Sequence, residues 1–128
     1  MIQGFNKAII IGVVTSKLEI RMTSKNINVC NFKISTSHIR PDGSTKIETH
    51  NIEVWDKLAN KCNNILPDSI LYIEGRLETE MWGDKKNHKQ KTKIVANTLD
   101  IISNKIEQKN IKDGIYNNIE DAFDVISS

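Results

Sequence analysis

Two tryptophans and a run of lysines are the residues of this chain best placed to do chemistry. Trp55 closes the segment 46–55, where His50, Ile52 and Val54 alternate with Thr49, Asn51, Glu53 and Trp55. Trp82 closes the run 70–82, where Leu71, Ile73, Leu77 and Met81 face one way. Tyr72, Glu74, Arg76, Glu78, Glu80 and Trp82 face the other. Successive side chains of a strand point to opposite faces, so the first set reads as a core face and both indoles fall on the polar side. Either ring alone could be a surface side chain folded back over a loop. After Trp82 comes Gly83-Asp84-Lys85-Lys86-Asn87-His88-Lys89-Gln90, a turn-rich basic finger, and then a returning strand from Lys91-Thr92-Lys93. Rings on a solvated face beside such a finger suit the stacking of unpaired bases and the neutralisation of phosphates.

Catalytic chemistry finds less support. Glu74, Arg76, Glu78 and Glu80 offer carboxylates beside an arginine, as a metal-dependent nuclease needs, yet alternating outward positions on one strand are first a surface ladder. No Ser/His/Asp or Cys/His pattern is present. Cys30 and Cys62 lack both the CxxC spacing and a nearby His pair of a zinc site. Two packed thiols in a reducing compartment are the expectation, with no metal, no cofactor, no catalytic residue and no enzymatic activity.

The formal net charge of +2 implies no partner by itself, but its distribution does. Residues 1–102 hold fifteen basic and eleven acidic side chains, net +4, and residues 103–128 hold three and five, net −2. No apolar run is long enough to span a bilayer, and Met1-Ile2-Gln3-Gly4-Phe5-Asn6-Lys7 resembles no targeting segment. A cytoplasmic, nucleoid-associated protein is expected, with one domain over 1–102 and a short acidic and apolar tail over 103–128.

The elements that position the rings read as follows. Ala8-Ile9-Ile10-Ile11-Gly12-Val13-Val14 is apolar on both faces. Such a strand is covered on both sides, either by a second subunit meeting Ile9 and Ile11 or as a central strand buried in a monomer. Leu18 to Met22 continues it past a kink near Thr15-Ser16-Lys17. A second strand runs from Asn28 to Ser37, with Cys30, Phe32 and Ile34 inward and Asn31 and Lys33 outward. Pro41-Asp42-Gly43-Ser44 is a turn. The third strand is 46–55. Asp56 is in place to cap a helix with the apolar stripe Leu58, Ala59, Cys62, Ile65 and Leu66, stopped by Pro67-Asp68. Strands four and five flank the basic finger, the last ending near Ile102. Three strands, one helix and two strands are wound in this order in the oligonucleotide-binding (OB) fold, an all-β, five-stranded Greek-key barrel. In it, strands two and three and the loop between strands four and five face nucleic acid.

Gly4-Phe5-Asn6-Lys7, Glu19-Ile20-Arg21, Asn31-Phe32, Thr36-Ser37, Lys57-Leu58-Ala59 and Tyr72-Ile73-Glu74-Gly75-Arg76-Leu77 with Trp82 resemble the bacterial and mitochondrial single-stranded DNA-binding proteins over residues 3–102. The resemblance implies a homotetramer or dimer that binds single-stranded DNA without sequence preference in replication, recombination and repair. It implies that Trp55 and Trp82 stack bases, that Lys7, Arg21 and Lys57 neutralise phosphates, and that His50 lies at a subunit interface. Lys33, Arg40, Tyr72, Arg76, Lys85, Lys86, Lys89 and Lys91 complete the expected nucleic-acid set. Arg40 and Thr49 stand where the family usually has tryptophans, and Glu78 and Glu80 where arginines are common. Each lost stack is worth about 1–3 kcal/mol, so weaker or more salt-sensitive binding is expected. Arg40 retains a guanidinium plane for stacking. The tail lacks the family's long Gly/Pro/Gln linker and terminal Pro-Phe; with Asp121, Phe123 and Asp124 it reads as a reduced acidic and apolar tip for replication or repair partners, as an arm covering the DNA groove, or as a solvated end with weak helicity. The depleted ring set also fits an OB-fold replisome adaptor working through protein contacts, similar to primosomal replication protein N.

Overall fold

The computed structural model describes residues 2–104. Among the described residues there are six strands: β1 (Ala8–Val14), β2 (Glu19–Met22), β3 (Asn28–Ile39), β4 (Thr45–Trp55), β5 (Ile70–Trp82) and β6 (Lys89–Ser103). One helical segment lies between β4 and β5. It is an α-turn, α1 (Asp56–Ala59), that tightens directly into a 3-10 turn over Asn60–Asn64. The strands hydrogen-bond in the order β1-β5-β6-β4-β3-β2, and a further β1–β3 pairing through Val13 with Ser35 and Val14 with Ile34 closes the ring. All neighbours are antiparallel except β4 and β6. Five strands therefore form the barrel, and β2 continues β1 past the break, pairing with β3 alone. This is the OB-fold winding that the order of elements predicts.

Alternation builds the interior. Val14 on β1, Cys30, Phe32 and Ile34 on β3, Ile52 and Val54 on β4, Leu71 and Ile73 on β5 and Leu99 on β6 are all buried. Ala59, Cys62 and Ile65 plug the end of the barrel from the helical segment. Each such aliphatic side chain contributes about 1.5–3 kcal/mol by leaving water. Cys30 and Cys62 are free thiols inside this core, and a hydrogen bond from Cys62 to Cys30, reinforced by burial, pushes Cys62 up.

Three expectations need correction. Leu77 and Met81 are 48% and 65% exposed, not core. The pairing of β5 with β6 shifts between Glu74 and Gly75; β6 stays paired with β4 as far as Lys93, opposite Glu78, and beyond that row the two strands pair only with each other, as a hairpin arm. Gly75 is required at the shift, because a Cβ there would run into the Val95 carbonyl. Asp56 does not cap the helix: Trp55 occupies the N-cap with no side-chain bond, and Asp56 itself sits at φ 58°. The helix is also shorter than its apolar stripe suggests, and Leu66 is 40% exposed.

Candidate nucleic-acid interface

The outward rows of β3, β4, β6 and β5 line up side by side. Lys33 pairs with Asn51, Asn51 with Lys93, and Lys93 with Glu78; one residue pair along, Asn31, Glu53, Val95 and Arg76 make the next row. Between β3, β4 and the arm lies a groove of about 170 Å³, lined by Asn31, Lys33, Asn51, Glu53, Glu80, Lys91 and Lys93 among others. Trp55 stands at one end of this face, 40% exposed, and Trp82 at the other, 47% exposed. Trp55 lies four residues beyond Asn51, and Lys89, opposite Trp82, four residues before Lys93 in the other direction. At ~3.3 Å per residue the indoles are about 26 Å apart along the strands, room for several nucleotides.

Trp55 is held in place. Its indole Nε1 donates to Glu53 Oε2 at 2.8 Å, while Asn31 Nδ2 donates to Glu53 Oε1 at 3.3 Å. Lys93 Nζ lies 3.1 Å from both carboxylate oxygens. Glu53 is only 7% exposed. Burial pushes its carboxyl up, but hydrogen bonds from Trp55, Lys93 and Asn31 and the charge of Lys93 outweigh it and hold the group below the usual carboxylate range. Across β3, Arg21 pairs with Val29 and Val29 with Trp55, so the guanidinium and indole share a row about two strand spacings wide. Arg21 also reaches Asn31 Oδ1 at 3.5 Å.

On the arm, Trp82 pairs with Lys89, Glu80 with Lys91 and Glu78 with Lys93. Glu78 is engaged by Arg76 at 2.7 Å. The two glutamates thus face cations across the ladder, which offsets the negative charge they bring to the face. The tip over 83–88 is tight. Gly83 has φ 102°, and Asp84 Oδ1 accepts from the Lys86 and Asn87 amides at 3.0 and 2.7 Å. Lys85, Lys86, Lys89 and Lys91 are all exposed.

The remaining candidates lie elsewhere. Lys57 is exposed on α1, two residues from Trp55. Arg40 sits in the β3–β4 turn, closed by its own amide to Ser44 O at 2.8 Å. Lys7 and Tyr72 belong to the β1–β5 wall: Tyr72 pairs with Ile11, its hydroxyl donates to Glu74 Oε1 at 2.8 Å, and Lys7 Nζ is 3.6 Å from the same oxygen. The tyrosine bond comes first among the causes that hold Glu74 below the usual range. Ile9, Ile11 and Val13 are 56%, 43% and 37% exposed on that wall. His50 lies on the inward row of β4, bonded to Thr36 Oγ1 at 2.9 Å. Among the described residues no three His, Cys, Asp or Glu side chains gather as a metal site, and no helix is long and apolar enough to cross a membrane. Asp121, Phe123 and Asp124 lie outside the described residues.

Comparison with known proteins decides the family. The model of the single-strand binding protein family matches residues 5–102. This chain belongs to that family. It is 34% identical over 123 residues to single-stranded DNA-binding protein 1 of Chlorobaculum tepidum, covering 91% of this chain and 76% of the relative. Among solved structures it is similar to a Plasmodium falciparum SSB complex with ssDNA, with a TM-score of 0.70 and 25% identity, over 80% of this chain and 97% of the other.

For a member of the single-strand binding protein family, the residue that sequence reasoning passed over is Glu53. Its outward position was legible from alternation, but its burial was not. The signal available was Glu53-x-Trp55, an acceptor two residues before an indole N–H on one face of a strand.

Proposed function

We propose that this protein binds and protects single-stranded DNA with little regard to sequence, in replication, recombination and repair. Bases stack on Trp55 and Trp82, and Arg21, Lys33, Lys89, Lys91 and the Lys85-Lys86 tip neutralise phosphates along the face between them. The observation that carries this reading is a lysine-edged groove on a sheet face that carries a half-exposed indole farther along the strands in each direction. Such a surface grips every base by its π-face and every nucleotide by its charge. Nothing in that reading calls for catalysis or a cofactor, and Glu78, the best-placed carboxylate for a nuclease, is engaged by Arg76.

The apolar strip Ile9, Ile11 and Val13 supports self-association, as a dimer or homotetramer, because an exposed row of β-branched side chains on a strand is stabilised by a second apolar surface. Residues 1–102 are the binding domain and 103–128 a tail that recruits replication or repair proteins through Asp121, Phe123 and Asp124, in a cytoplasmic, nucleoid-associated setting. The experiment is fluorescence anisotropy of a labelled oligo-dT across a salt series. Tight binding that weakens steeply with salt supports the reading, and no binding at low salt ends it.

A further inference from the structure

Lys93 lines the groove, yet its side chain is only 16% exposed and its ammonium contacts both oxygens of Glu53. Glu53 in turn accepts the indole N–H of Trp55. Lys91, two residues along the same face, lines the same groove and is exposed. We propose that Glu53 is a positioning residue for single-stranded DNA: it fixes the Trp55 indole by its edge and withholds Lys93 from the phosphates, so that Lys91 and Lys93 are not equivalent.

The physical argument has two parts. A ring tethered at Nε1 keeps one orientation before DNA arrives, and the stack then costs little side-chain freedom. An ammonium already paired with a largely buried carboxylate is not free to neutralise a phosphate, so it releases none of the cations condensed on the strand. Moving it to a phosphate would leave Glu53 charged and unpaired in a nearly dry site. The centre of the groove is therefore close to neutral, a place for bases, with phosphate contacts pushed to its edges.

This inference rests on the proposed DNA binding, and its test separates the two. The slope of log affinity against log salt is measured with oligo-dT for the wild type, Lys91→Met, Lys93→Met, Glu53→Gln and Glu53→Gln with Lys93→Met. Each phosphate-bound cation contributes about 0.7 to that slope for a single strand. Lys91→Met is expected to lower the slope by about 0.7 and Lys93→Met to leave it unchanged. Glu53→Gln, which keeps an oxygen for Trp55 Nε1, should raise the slope by about 0.7, and adding Lys93→Met should restore it. The double variant leaves no buried charge unmatched, and in Glu53→Gln the long Lys93 side chain is free to turn to solvent, so this pair remains informative if Lys93→Met alone does not fold. A purely structural Glu53 would alter thermal stability and not the slope. An unchanged slope in Glu53→Gln, or equal losses from Lys91→Met and Lys93→Met, overturns the inference while DNA binding stands. Absence of wild-type binding removes both.

Discussion

Replacing Trp55 by alanine removes one stacking platform, and the structure sets the size of the effect. A tryptophan side chain presents up to about 250 Å², and Trp55 keeps 40% of its surface in solvent, so about 100 Å² is open to a base. At ~25 cal/mol per Å² the ceiling is about 2.5 kcal/mol. A base covers most but not all of that area, which places the loss near 2 kcal/mol, or about 30-fold in Kd, inside the usual range for a base–aromatic stack. Stacking displaces no condensed cation, so the salt slope should remain that of the wild type. Anisotropy of a labelled oligo-dT reads both quantities without relying on the missing indole. A loss under about 3-fold, or a change in slope as large as a lost lysine produces, would refute the assignment of Trp55 as a stacking residue.

Trp82→Ala should weaken binding by a similar factor, and because the two indoles are about 26 Å apart, the free-energy losses in the double variant should add; the same titration checks it. Gly75→Ala should lower the melting temperature by roughly 15 °C, since a Cβ meets the Val95 backbone where β5 and β6 change register, an overpacking cost of about 3 kcal/mol. Glu53 has a folded-state pKa below its unfolded value, so its contribution to stability is full above the unfolded carboxylate pKa and is lost as pH falls through the folded one. Thermal melts of the wild type should therefore decline on acidification through and below about pH 4.3, and Glu53→Gln should flatten that decline.

Much of this architecture was legible in the chain, and for simple reasons. Alternation in 46–55 puts Ile52 and Val54 inside and Trp55 outside because one face of β4 is core and the other is solvent. The single helical segment between β4 and β5 identifies the winding. Alternation misled at Leu77 and Met81, whose spacing continues the core pattern of Leu71 and Ile73 although the register shifts at Gly75 and, past Glu78 and Lys93, β5 and β6 pair only with each other. A local period carries no record of where a strand parts from its neighbours. Asp56 misled because a left-handed backbone at the β4–α1 junction uses the residue for the turn instead of the cap. The electrostatics of Glu53 depend on Asn31 and Lys93, which reach it from two other strands, and such a convergence exists only after folding.

The central claim is that unpaired nucleotides lie on the indoles at 55 and 82. Two single-tryptophan proteins, Trp55→Phe and Trp82→Phe, test it most directly when each is saturated with oligo-dT and its remaining emission recorded. Quenching in both is the expected result. Oligo-dT bound by anisotropy while neither indole dims would contradict the account.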